Sequence, residues 1–311
     1  MQPIVQANNV CRHFHGHKVL HELSLTIERG EVLALLGTNG AGKTTTLRLL
    51  TGELTPNRGS VLVKNVDINL HPEKAKQHLG YLPDTPPLYT DLTVDEFLTY
   101  VARIRGTDKK QTKSRLKEVK TFCELNNVST RLIKKLSKGY QQRIGIAQAI
   151  IHKPHAVILD EPTNGLDPTQ MQEMRDLILH LRKDAGILLS THQLGEVEQI
   201  CDRVHLLKQG QTVLSKKISE LQQVNTIALR FIKKAPINDI QSNDEIGNIK
   251  FIDDNTLRIN PKGSPSHDHL DALKNSLLAQ SEANNWGLVE IYDVHDTLEN
   301  IFINEVLRDK A

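Results

Sequence analysis

Long hydrophobic runs are missing from this chain of 311 residues. A bilayer-spanning helix needs about 20 consecutive apolar residues. The densest runs here, Val32-Leu33-Ala34-Leu35-Leu36 and Ala156-Val157-Ile158-Leu159, are strand-sized. The opening Met1-Gln2-Pro3-Ile4 has neither the basic start nor the apolar stretch of a secretory leader. The expectation is a cytoplasmic chain that reaches any membrane through a partner. Cysteine is scarce: Cys11, Cys123 and Cys201 lie far apart and form no C-x-x-C pair. That argues against a disulfide framework or a cysteine metal site and suits three reduced thiols in the cytosol. Aromatic residues make up only 4%, so stacking is not the main business of the surface.

What is present is ordinary globular material, with 38% hydrophobic and 24% charged residues. The length predicts about two domains. The net charge of +2 hides an asymmetry. Residues 1–219 hold 30 Lys+Arg against 22 Asp+Glu, whereas the remainder holds 9 against 15. The change of sign places a domain boundary near 220, with one domain at 1–220 and a second at 221–311.

Residues 4–30 read as short strands with a turn at Phe14-His15-Gly16-His17. Glu31–Leu36 is a buried-strand run that flows into a glycine loop, and Thr46–Thr51 has helical spacing before Gly52. Further strands are expected at 59–66, 79–82, 156–160 and 186–190. Helices are expected from Thr93 to Ala149 throughout, at about 168–184 and at 193–201, and a hairpin over 203–213 turns at Gln209-Gly210. The tail reads as a small α+β appendage. It has β-like runs at 226–232 and 256–259, an acidic loop from Asp239 to Asp254, a Gly/Ser/Pro turn at 263–266, a helix at 268–284, a strand at 287–291 and a final helix from about 296.

The chemistry begins at Gly37-Thr38-Asn39-Gly40-Ala41-Gly42-Lys43-Thr44-Thr45, which fits the phosphate-loop pattern. Glycines let backbone N–H groups turn toward phosphate oxygens, and the following helix N-terminus adds favourable partial charge. Lys43 is expected to reach the terminal phosphates of ATP, and Thr44 to offer its hydroxyl to Mg²⁺. Val157-Ile158-Leu159-Asp160-Glu161 is an apolar strand ending in two acids. A carboxylate at a buried strand end needs a partner, and Mg²⁺ suits Asp160. Glu161, one residue on, is placed to orient or deprotonate an attacking water.

Leu136-Ser137-Lys138-Gly139-Tyr140-Gln141-Gln142-Arg143 resembles the signature of ABC ATPases, usually Leu-Ser-Gly-Gly-Gln. Lys138 replaces a glycine and Tyr140 a glutamine, variants similar to those of bacterial ABC-2-type exporter ATPases. The resemblance covers residues 4–220. It implies an α/β fold of the P-loop NTPase, ABC type: a RecA-like core, an antiparallel β subdomain and a helical subdomain at about 85–155. It also implies that Ser137 and the Gly139 N–H contact the γ-phosphate held by a second subunit. Asn164-Gly165-Leu166-Asp167 matches the family's D-loop, with Asp167 at a dimer interface. His192, after Ser190-Thr191, matches the switch histidine, and Asp84 occupies the Q-loop position, where it can bind Mg²⁺ or its water. Phe14 sits where the family stacks adenine; a plain core role is the competing reading. Leu298-Glu299-Asn300-Ile301-Phe302 resembles a pattern in the C-terminal domain of ABC-2-type exporter ATPases.

By this resemblance the chain is an ATPase that uses ATP and Mg²⁺ and works as a homodimer or with a paralogous ATPase subunit. It would sit beneath integral-membrane permease subunits, peripheral on the inner face of the cell membrane. The rivals are an importer ATPase and a non-transport ABC ATPase acting on DNA or ribosomes. The spacing leaves no room for the long coiled coils of DNA-repair members, and the chain has one cassette. The basic run from Arg103 to Lys120 has two readings, a face near anionic lipid headgroups and a solvated helix face. It lacks interleaved aromatics, so no nucleic acid partner is expected.

Overall fold

A strand that is apolar at every position is stable only inside a sheet covered on both faces. Val32–Gly37 is such a segment, buried throughout. The computed structural model describes residues 3–221, 226–233, 235–241, 243, 245–262, 267–294, 298–299 and 302–303. The chain divides into two compact units after Ile218. In chain order the first contains β1 (Val5–Phe14), β2 (His17–Ile27), β3 (Val32–Gly37), α1 (Lys43–Leu50), β4 (Arg58–Val63), β5 (Val66–Asp67), α2 (Pro72–Lys76), β6 (Leu79–Leu82), α3 (Val94–Ile104), α4 (Lys109–Phe122), α5 (Lys138–Ile150), β7 (Ala156–Asp160), α6 (Pro168–Leu181), β8 (Gly186–Ser190), α7 (Leu194–Ile200), β9 (Arg203–Lys208) and β10 (Gln211–Lys217). The short α8 (Ile218–Leu221) spans the boundary.

The central sheet has the order β10-β9-β3-β8-β7-β6 and is parallel except for β10. Functional loops follow the carboxyl ends of β3, β6, β7 and β8, the edge where open α/β sheets bind ligands. An antiparallel sheet, β2-β1-β4-β5, packs its apolar face into the same core as Leu33, Leu35 and Leu47. Its β1–β2 turn uses His15 and Gly16, both with positive φ, which matches the right-handed twist of a tight hairpin.

The helical stretch expected from Thr93 to Ala149 is divided into three helices. Gly106 turns left-handed at φ 76° and Asp108 caps α4 through Lys110 N at 2.9 Å, so α3 and α4 form a hairpin. After α4 the chain passes two short 3-10 turns, Asn126–Val128 and Ile133–Lys135, before α5. The expected strand at 59–66 is interrupted by Lys64 and Asn65, both with positive φ.

The second unit contains β11 (Thr226–Phe231), α9 (Ile237–Gln241), β12 (Ile246–Asp253), β13 (Thr256–Pro261), α10 (His267–Asn284) and β14 (Leu288–Val294). They form an antiparallel sheet β12-β13-β11-β14 over a core that includes Leu229, Leu257, Leu273 and Trp286. The acidic loop expected from Asp239 to Asp254 is corrected to α9 and β12. Most of β12 is exposed at the sheet edge, so backbone pairing with β13 makes the strand without any hydrophobic alternation to announce it. The expected turn at 263–266 and most of the final helix, with Asn300 and Ile301, lie outside the described residues.

Candidate functional site

β3 delivers the chain into the glycine loop at the sheet's carboxyl edge. Gly42 has φ 104° and N-caps α1, and a Cβ there would lie 2.7 Å from the Leu20 methyl. Only glycine fits that backbone and that space. Ala41 is buried and Gly37 ends the buried strand, so these two anchor the loop from behind. Thr38, Asn39, Gly40, Gly42, Lys43, Thr44 and Thr45 line a cleft of about 470 Å³ together with Asp84, Asp160 and Glu161. Val19 and Ser190 complete its wall.

Lys43 Nζ donates to the carbonyls of Gly37 at 2.6 Å and Thr38 at 3.2 Å. Burial lowers the pKa of its ammonium, against the carboxylates of Glu161 and Asp160, which raise it. Burial pushes the Asp160 carboxyl up. The charges of Glu161 and Asp84 add to the rise, and the Ser190 hydroxyl and Lys43 oppose it. Asp160 pairs in register with Ser190 across β7 and β8. One residue on, Glu161 turns into the left-handed region at φ 47°. A non-glycine residue held there stores backbone strain, and such strain gathers at functional sites. The turn brings Glu161 Oε2 to 2.9 Å from Nδ1 of His192, which follows β8. Asp84 accepts from Asn164 Nδ2 at 3.2 Å.

The signature segment opens elsewhere. Ser137 is the N-cap of α5, and its side chain makes no capping hydrogen bond. With Gly139, Tyr140, Arg143 and Asp167 it lines a second cleft of about 580 Å³. The two clefts have no lining residue in common. Asp167 caps α6 through Gln170 N at 2.9 Å. Arg143 ties the region together through Glu124 and Glu173, each at 2.7 Å. Phe14 is half-buried at the hairpin tip, with the Arg12 guanidinium 4.6 Å from its ring centroid, and it lines neither of these clefts.

Comparison with known proteins bears on the same segments. The ABC transporter family profile matches residues 20–164. The ABC transporter ATP-binding protein YxlF of Bacillus subtilis is 36% identical over 237 residues, covering 74% of this chain and 78% of that protein. The chain belongs to the ABC transporter ATP-binding proteins. It is an ATPase subunit, of the kind that works with membrane permeases. BcrA of Bacillus licheniformis, a bacitracin transport ATP-binding protein, is 34% identical, covering 74% of this chain and 75% of that protein. Among solved structures, an ATP-binding subunit of an ABC transporter superposes with TM-score 0.65 at 30% identity, covering 70% of this chain and 92% of that one. CbiO1 of Clostridium perfringens, part of the cbiONQ ABC transporter complex, gives 0.65 at 27%, covering 71% and 90%. No described helix is long and apolar enough to cross a membrane.

Within this ABC subunit the structure adds residues that the motifs did not single out. Glu196 lies in the first turn of α7, only 1% exposed, and its Oε2 accepts from Thr163 Oγ1 at 3.3 Å. Burial raises its pKa against the Thr191 and Thr163 hydroxyls, which lower it, and the Thr163 contact links the segments after β7 and β8. Its only sequence signal is a position one helical turn after His192. Lys138 lies against Gly165, in the space a Cβ there would occupy. The lysine that departs from the usual signature glycine thus packs on the D-loop.

Proposed function

We propose that this ABC subunit drives export through a separate membrane permease by closing in pairs on ATP. Two copies, or this chain and a paralogous subunit, meet head to tail. Each nucleotide then lies between the phosphate-loop cleft of one and the signature cleft of the other. The observation that carries this is the separation of the clefts. Lys43, Thr44, Asp160 and Glu161 share one cleft, and Ser137 and Gly139 line another with no wall in common. A two-fold pair satisfies both contacts at once.

Backbone N–H groups of Thr38–Thr45 and the N-terminus of α1 hold the phosphates, and Lys43 adds its remaining donor. Phe14 offers the ring face not covered by Arg12 to the adenine. Ser137, with its hydroxyl unspent on capping, and the first-turn N–H groups of α5 receive the γ-phosphate across the interface. Asp167 carries the D-loop there. Glu161 accepts the proton of the attacking water, and His192 holds the carboxylate in orientation and senses the γ-phosphate. Cleavage removes that shared contact and the pair reopens, which is the differential interaction a driven cycle requires.

The cleft suits Mg²⁺. The charges of Glu161 and Asp84 raise the Asp160 carboxyl, and Lys43 is the one cationic side chain lining the cleft with these three acids, so a divalent cation would relieve the excess negative charge. Among the described residues no cluster of His, Cys, Asp and Glu forms a metal cage, which fits an ion completed by phosphate and water. Thr44 and Asp160 would hold it, with Asp84 on its water. When bound, it would neutralise charge on the β- and γ-phosphates. Export rather than import is supported by the Lys138 and Tyr140 variants and by likeness to a bacitracin transport protein.

Ser137→Arg tests the pairing. ATP binding to the monomer, followed with a fluorescent analogue, is expected to persist, while turnover and ATP-dependent dimerisation in light scattering are lost. Wild-type turnover from a monomeric Ser137→Arg protein would overturn the head-to-tail reading.

A further inference from the structure

The α3–α4 hairpin carries a surface that the ATPase cycle leaves unused. Lys109, Lys113 and Lys117 follow one another at four-residue spacing on α4, with Lys110 beside them, and all are exposed. Residues three or four apart share a helix face, and like charges there repel. From Arg103 to Lys117 there are seven basic residues and one acid, Asp108, which is spent on capping α4. Arg115 pairs with Glu118 at 2.6 Å. Arg103, Arg105, Lys109, Lys110, Lys113 and Lys117 have no carboxylate partner among the described residues.

The same end of the hairpin exposes apolar surface. Lys120 of α4 reaches back to Asp95, in the first turn of α3, at 2.5 Å, so the helices run antiparallel. The end of α3 therefore lies beside the start of α4. Ile104, the last residue of α3, is 64% exposed, and Tyr100, one turn earlier, is 42% exposed. Unpaired lysines beside an exposed isoleucine call for a partner that is anionic at its surface and apolar just beneath. Headgroups over acyl chains have that layering. Nucleic acid fits less well, because the basic run from Arg103 to Lys117 has no interleaved aromatic residue and the nearby Tyr100 ring already packs on Tyr89, centroids 5.4 Å apart.

We propose that the tip of the α3–α4 hairpin docks on the anionic headgroup layer of the membrane that holds the permease. The inference rests on the chain working beside a permease. Its chemistry, however, is testable on the isolated full chain.

The test is flotation with vesicles of phosphatidylcholine alone or mixed with phosphatidylglycerol, at low and high salt. The wild-type chain is expected to bind the mixed vesicles, to ignore phosphatidylcholine and to come off as salt rises. Changing Lys109, Lys110, Lys113 and Lys117 all to Gln is expected to weaken binding by about fivefold per lysine. Ile104→Ser is expected to remove a further, salt-insensitive part. ATPase activity in the absence of membrane is expected to stay at wild-type level in both variants, since none of these residues lines the phosphate-loop or signature cleft. Equal binding to both vesicle types, no binding at all, or undiminished binding by the quadruple variant would overturn the proposal. So would tighter binding to a single-stranded oligonucleotide than to anionic vesicles. A failure of the pairing mechanism would instead appear as turnover that survives Ser137→Arg, whatever the vesicles show.

Discussion

Glu161→Gln isolates the chemical step from the binding step. Glutamine has the shape of glutamate, so the left-handed backbone at φ 47° and the packing of a side chain only 16% exposed are retained. What is lost is a proton acceptor and one negative charge. General-base catalysis is worth about 10²–10⁴ in rate, so the barrier rises by about 3–5 kcal/mol at 1.36 kcal/mol per tenfold. The lost charge acts in the other direction on binding. Glu161 is one of the groups that raise the Asp160 carboxyl, so its removal lets that pKa fall and makes the cleft less repulsive to phosphate. The lysine responds too, because Glu161 helps to hold the Lys43 ammonium up. The expected protein binds ATP at least as tightly as wild type and turns over at least a hundredfold more slowly. With ATP it accumulates as a pair. Steady-state phosphate release, nucleotide titration and light scattering measure the three quantities. Hydrolysis within a factor of two or three of wild type would refute the assignment of Glu161. A slow enzyme that also failed to bind ATP would refute the argument that its role lies in the chemical step.

Gly42→Ala should damage fold and site together. The methyl would stand 2.7 Å from Leu20 Cδ2 on a backbone at φ 104°, which costs about 1–2 kcal/mol for the left-handed residue and about 1–3 kcal/mol for overpacking. A lower thermal midpoint with weakened ATP binding is the expected result, and an unchanged midpoint would count against the packing argument. His205 supplies an acid-side dependence. Its imidazole is buried, with Nε2 2.9 Å from Thr212 Oγ1, and burial together with the charge of Arg203 lowers its pKa to about 4. The unfolded chain takes up the proton first as pH falls. Stability is therefore full above about pH 6.5 and declines toward pH 4, by about 3 kcal/mol for this one group. Denaturant titrations of wild type and His205→Gln across that range should show the flatter profile in the variant.

How much of this was legible beforehand depends on the range of the forces involved. The phosphate loop is a local object: a buried strand, glycines where φ is positive and a helix start all lie within some fifteen residues, and each leaves its mark on composition. The parallel strands β3, β7 and β8 announce themselves because burial on both faces demands unbroken apolar runs. β12 left no such mark, because an edge strand is held by backbone pairing and its side chains are free to be polar. The acids of that stretch therefore looked like a loop. Within the helical stretch expected from Thr93 to Ala149, the break between α3 and α4 was marked only by Gly106 and by the cap at Asp108, weak signals inside an otherwise helical pattern.

The sequence by itself determined which groups are available for chemistry: Lys43, Thr44, Asp160 and Glu161 with their loop, strand and helix, and the variant signature at Ser137–Gly139. Tertiary structure alone decided their distances. It brings His192 to Glu161 and Asn164 to Asp84, buries Glu196 under Thr163, and opens Ser137 into a cleft apart from Lys43. The physical reason is that these contacts join segments far apart along the chain. They are settled by how sheet and helices pack, and no local pattern of residues encodes them.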